Sequence, residues 1–217
     1  MDTENNQLSL CGVIETEPAL DHEVFGEQFY RMDLLVPRLS GANDLLPVTV
    51  SERLMNSQVK PGTRLSISGQ LRSYNKVMGG AGRLLLTAFA QRLMPPDDAE
   101  NPNMIHLIGA ICKPPAFRTT PFGREIADLM LAVNRAFGKS DYIPCIAWGR
   151  TARCAAQLNV GDRLDVQGRF QSREYQKQTP DGTVINRMAY EVSISRLTCL
   201  KDMPLPAHAA ERKNAVQ

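Results

Sequence analysis

Shifted by 97 residues, the chain falls onto itself. Gly12 meets Gly109, Ile14 meets Ile111, Pro18-Ala19 meets Pro115-Ala116, and Phe25-Gly26 meets Phe122-Gly123. Leu34, Val36 and Arg38 meet Leu131, Val133 and Arg135, and Gly41, Asp44 and Pro47 meet Gly138, Asp141 and Pro144. An offset of 99 aligns Gly62 with Gly161 and Gly69 with Gly168. An offset of 104 aligns Arg83 with Arg187 and Arg92-Leu93 with Arg196-Leu197. The offset changes only between candidate elements, where loops absorb length at small entropic cost. Repetition on this scale requires two copies of one small unit. Between them, residues 95–102 are rich in proline and acid and lack bulky apolar side chains, which reads as an exposed linker. The expected organisation is a first domain at 1–94, the linker at 95–102, a second domain at 103–200 and a polar tail at 201–217.

Within each unit the dominant period is two. Leu164, Val166, Gly168 and Phe170 alternate with Arg163, Asp165, Gln167, Arg169, Gln171 and Arg173. That alternation is a half-buried strand, with Phe170 on the core side. Leu65, Ile67, Gly69 and Leu71 repeat it in the first unit. Further strands are predicted over 104–111, 126–133, 142–148 and 188–197. A short helix is predicted over 151–158, with 51–58 in the same place in the first unit. Five strands with a helix between the third and fourth is the plan of a Greek-key barrel, the OB-fold. The expected class is mainly all-β, as two tandem five-stranded OB-fold barrels. Gly109, Gly168 and their partners fit bend or bulge positions.

Composition removes several function classes. No apolar run approaches the roughly 20 residues of a membrane helix. The five cysteines are scattered without a CxxC pair, which fits neither a zinc site nor a disulfide framework. The three histidines sit in no ligand motif, so no metal, no cofactor and no catalysis are expected. Gly79-Gly80-Ala81-Gly82 lacks the Gly-Lys-Ser/Thr of a phosphate loop and reads as a hairpin tip. The net charge of +2 conceals an asymmetry. Residues 1–94 hold nine Lys and Arg against ten Asp and Glu, whereas residues 104–200 hold thirteen against eight.

The second unit resembles bacterial single-stranded DNA-binding proteins over nearly its whole length. The resemblance is carried by 104–111, by Pro115-Ala116-Phe117-Arg118-Thr119-Thr120-Pro121-Phe122-Gly123, by Leu131-Ala132-Val133-Asn134-Arg135, by 143–150, and by Gly161-Asp162-Arg163 through Gly168-Arg169-Phe170-Gln171-Ser172-Arg173-Glu174-Tyr175. It implies sequence-independent single-strand binding in replication, recombination or repair, in the cytoplasm at the nucleoid. Since single-barrel relatives are typically tetramers, it also implies a homodimer holding four barrels. A primosome-type replication-restart protein and a protein-interaction scaffold are the competing readings. The final residues, Glu211 to Gln217, lack the acidic, apolar-tipped ending by which many relatives recruit proteins.

Single-strand binding needs cations along the phosphates and flat rings for the bases. Tyr142 and Trp148 share one face of a strand, opposite Ile143, Cys145 and Ala147. Parity alone leaves Trp148 equally consistent with a core residue. The resemblance implies stacking by Phe137, Tyr142, Trp148 and Tyr175, although Phe137 could also cover a barrel end. Arg169 and Arg173 share the outward side with Tyr175. Lys113, Arg118, Arg135, Lys177 and Arg187 are candidate phosphate contacts. In the first unit Ser40, Leu45 and Ser51 replace three of the four rings, leaving the outward pair Arg72 and Tyr74. The second unit is therefore expected to dominate binding.

Overall fold

In the computed structural model, which describes residues 5–78, 81–97, 101–178 and 182–200, the strands form a single twelve-stranded sheet wound into two barrels. The first barrel comprises β1 (Asn6–Ile14), β2 (Ala19–Val24), β3 (Glu27–Pro37), β4 (Asn43–Ser51), β5 (Arg64–Met78) and β6 (Ala81–Met94). The second comprises β7 (Asn103–Ile111), β8 (Ala116–Thr119), β9 (Glu125–Asn134), β10 (Ser140–Trp148), β11 (Arg163–Gln178) and β12 (Val184–Cys199). The repeat is therefore two OB-fold barrels. Each has one strand segment more than the sequence predicts, because β2 and β8 lie in stretches that lack clear alternation.

Alternation builds both cores. Leu34, Val36, Leu46, Val48 and Ile67 fill the first barrel, and Leu131, Val133, Ile143, Val166 and Phe170 fill the second. The long hairpins β5–β6 and β11–β12 each carry a bulge, at Ser68/Gly69 and at Gln167/Gly168. A Cβ at Gly69 would collide with the Phe89 carbonyl, and one at Gly168 with that of Ser193. Strands approach too closely there for any side chain.

The helix predicted over 151–158 is α1 (Gly149–Ala155), shifted toward the strand it follows. The helix predicted over 51–58 is only a 3-10 turn at Glu52–Leu54. The Ala-rich stretch after Thr151 favours a helix, whereas Asn56 and Ser57 favour turns.

The two barrels meet through their first strands. β1 pairs antiparallel with β7, and Leu8 faces Ile105, its own equivalent in the repeat. The two first strands thus meet about an approximate twofold axis. Described linker residues are tied down, with the Asp97 N–H donating to Ser66 Oγ at 2.9 Å and the Cys11 N–H to the Pro102 carbonyl at 2.7 Å.

A reciprocal pair of polar contacts locks this junction. Asp44 accepts from Arg38 and, at 2.7 Å, from the Ser172 N–H of the other barrel. Asp141 accepts from Arg135 and Arg72 and, at 2.6 Å, from the Ser73 N–H. Arg38 donates to the Ser172 carbonyl, and Arg135 to that of Ser73. Both carboxylates are buried. Burial pushes the Asp141 carboxyl up, but the Arg135 hydrogen bond, the Ser73 N–H, the Arg135 charge and the Arg72 hydrogen bond together hold it below its ordinary range.

Candidate nucleic-acid interface

The outer face of the second barrel is assembled by strand register. Arg118, Ile126 and Trp148 stand in one row across β8, β9 and β10. Ala116, Asp128, Ile146, Ser193 and Arg169 form the next row, across β8, β9, β10, β12 and β11. Trp148 is half-exposed at 37%, and its indole N–H donates to Ser193 Oγ at 3.3 Å. That bond ties the ring from β10 to the neighbouring strand β12. Ile143, Cys145 and Ala147 point into the core. Burial pushes the Cys145 thiol far up, so it stays protonated.

The other predicted rings are also accessible. Tyr142 is 47% exposed at the opposite end of β10. Phe137 is 99% exposed and covers nothing. Its backbone has a φ of 60°, and Gly138 follows at 69°. A left-handed conformation is unfavourable for a bulky side chain, so the turn holds this ring outward at a cost. Tyr175 is half-buried and faces Arg187 across the β11–β12 ladder. The structure thus strings Phe137, Tyr142, Trp148 and Tyr175 along the surface rather than in one cluster.

The predicted cations divide into two sets. Lys113 and Arg173 are exposed, although Arg173 Nε lies 3.4 Å from Glu191. Arg169 donates to Gln171 while its Nε is buried without a partner among the described residues. Arg187 is half-buried. Arg118 is partly exposed but paired with Asp128 at 2.8 Å. Arg135 and Arg72 share the single Asp141 carboxylate, so both guanidinium groups are engaged at the junction. The sequence marks Arg72 as outward and Arg135 as a cation near a loop, but it cannot show a carboxylate waiting beside them. The Lys177 side chain lies outside the described residues. Tyr74 is exposed, and its hydroxyl is pushed up by burial and by Asp21, against the opposing charge of Arg31.

Rings that the sequence reading passed over also reach the surface. Phe117 and Phe122 project from the β8–β9 hairpin, and Phe122 is 91% exposed. A shallow cleft lined by Thr119, Gly123, Arg124, Glu125, Trp148 and Gly149 joins that hairpin to Trp148. The signal for Phe122 is the Phe-Gly dipeptide shared by both repeats. Among the described residues no three His, Cys, Asp or Glu side chains converge as a metal site. Among them, too, no helix is long and apolar enough to cross a membrane.

Comparison with known proteins fits this geometry. The family model described as the single-strand binding protein family matches residues 102–200, the whole second barrel. Single-stranded DNA-binding protein A of Bacillus subtilis (strain 168) is 39% identical over 83 residues, covering 35% of this chain and 48% of that protein. Single-stranded DNA-binding protein B of the same organism is 35% identical over 83 residues, covering 35% of this chain and 74% of that protein. The chain spans about half the length of curated relatives such as protein A. The wild-type single-stranded DNA binding protein from Thermus aquaticus has the same fold, with a TM-score of 0.72 at 22% identity over 93% of this chain and 95% of that one. With a relative 35% identical and matched over 74% of its length, this chain belongs to the single-strand binding protein family.

Proposed function

We propose that the chain binds single-stranded DNA without reading its sequence, and sheathes it during replication, recombination or repair in the cytoplasm. The observation that carries this reading is the outer face of the second barrel. There Trp148 is held by Ser193 at the surface, with Arg169 in the adjoining row and Arg173 and Tyr175 further along β11. Rings stack on any base, and cations follow the backbone of any sequence. The chain acts as a binding protein rather than a catalyst. Its relatives' printed names, all single-stranded DNA-binding proteins, support the same ligand.

The chain also works as a dimer of four barrels. The outer face of the β1–β7 junction supports this, because Met104 lies 55% exposed there between Ser9 and His106.

Labelled oligo-dT and a duplex of equal length, titrated at several salt concentrations, test the function. Tight, salt-sensitive binding of oligo-dT with far weaker duplex binding is expected. Equal affinity for both, or none for either, would leave the protein-interaction scaffold as the better reading.

A further inference from the structure

The first barrel has no ring at the position of Trp148, yet its equivalent face is not bare. Its two rows read His22, Phe29 and Ser51, then Ala19, Arg31, Thr49, Phe89 and Gln70. Serine stands where the second barrel has Trp148, but both neighbours have become aromatic. Phe29 replaces Ile126, and Phe89 replaces Ser193.

These side chains form one strip. The Phe29 and Phe89 centroids are 5.8 Å apart, and His22 stacks on Phe29 at 5.0 Å with planes 10° apart. The Arg72 guanidinium lies 6.0 Å from the Phe89 centroid. Four flat groups therefore cross β2, β3, β6 and β5 on the outward side.

Core packing does not account for the strip. Phe29 lies on the opposite side of β3 from Met32, Leu34 and Val36, and Phe89 on the opposite side of β6 from Leu86, Ala88 and Ala90. Neither ring belongs to the buried core, and both are half-buried at the surface. Arg31, in the same row as Phe89, is exposed and pairs with no carboxylate among the described residues. Aromatic faces beside an unpaired cation are the two ingredients of single-strand binding.

We infer that Phe29, Phe89 and His22 form a second stacking platform for the unpaired bases of DNA, with Arg31 beside it for the phosphates. Phe29 and Phe89 flank, from either side of β4, the position that corresponds to Trp148. This rests on the reading of the chain as a single-strand binder. A strand leaving the second barrel then meets rings on the first, and one chain carries two platforms of different construction.

The test uses the whole chain. Unaltered protein is bound to oligo-dT carrying scattered 5-iodouracil, irradiated, digested and mapped by mass spectrometry. Cross-links in the peptides holding His22, Phe29 or Phe89 are expected beside those in the second barrel. Cross-links confined to the second barrel, with the oligonucleotide bound, would overturn the inference and leave the parent reading intact. Failure of the oligonucleotide to bind would overturn both.

A Phe29→Trp substitution in a Trp148→Phe background gives an independent readout. Its emission should be quenched by an oligo-dT of about 35 nucleotides, enough for two barrels at up to ~16 each. Unchanged emission, with binding verified by anisotropy of labelled DNA, would overturn the inference.

Discussion

The Asp141 carboxylate of the second repeat accepts the backbone N–H of Ser73 in the first at 2.6 Å. Its mirror, Asp44 with Ser172, completes the reciprocal lock. The junction is thus built from each repeat reading the other's backbone, and its disruption has consequences distinct from those at the DNA face.

Replacing Asp141 with Asn leaves two guanidinium groups facing a neutral side chain at a buried site. Breaking such a pair costs about 3–5 kcal/mol. Arg72 and Arg135 keep some contact with water, so a loss of about 3 kcal/mol is expected in urea denaturation.

The pH dependence follows from the depressed Asp141 pKa. A carboxylate held below its unfolded value of about 3.9 contributes fully above that pH. Its contribution is lost as pH falls through the lower folded value. The stability difference between the parent protein and Asp141→Asn should therefore be full at neutral pH and shrink on acidification below about 4. A difference independent of pH down to the acid transition would contradict the assignment.

Each repeat carries both halves of the lock, Asp44 with Ser73 in the first and Asp141 with Ser172 in the second. A fragment of residues 103–200 exposes the unpaired edge of β7 together with a self-complementary lock. Such an edge recruits another strand. Sedimentation should find this fragment paired, and a monomer at micromolar concentration would contradict the symmetry described. The whole chain should sediment at twice its mass, through its exposed Met104 face.

The barrels were legible in the sequence because period-two alternation survives in both repeats. Phe170 is core as its parity predicts, and Gly69 and Gly168 are bulges. The junction was not legible. Arg38 with Asp44 and Arg135 with Asp141 recur in register, but nothing in one strand's pattern shows that a carboxylate will cap a backbone in the other repeat. The same blindness hides the carboxylate shared by Arg135, expected at phosphate, and Arg72, expected as an outward pair with Tyr74. The strip of Phe29 and Phe89 was hidden for another reason. Matching position to position finds a lost ring at Ser51 but cannot see neighbours on two other strands fill the gap.

Cations at the DNA face and at the junction should separate in salt titrations. Arg173→Ala and Lys113→Ala should each reduce the slope of log affinity against log salt by about 0.7. Arg135→Ala should lower stability and leave the slope unchanged. A slope change with Arg135→Ala equal to that with Arg173→Ala would show that Arg135 reaches phosphate.

Trp148 is the chain's one tryptophan, so its emission reports a single position on the second barrel. The decisive measurement is a titration of the whole protein with oligo-dT, followed by intrinsic fluorescence and by anisotropy of the labelled strand. Marked quenching that saturates together with binding is expected, as is a loss of about 1–3 kcal/mol in affinity for Trp148→Ala. Saturated binding with unchanged emission, and unchanged affinity in Trp148→Ala, would place the strand elsewhere and contradict the interface described.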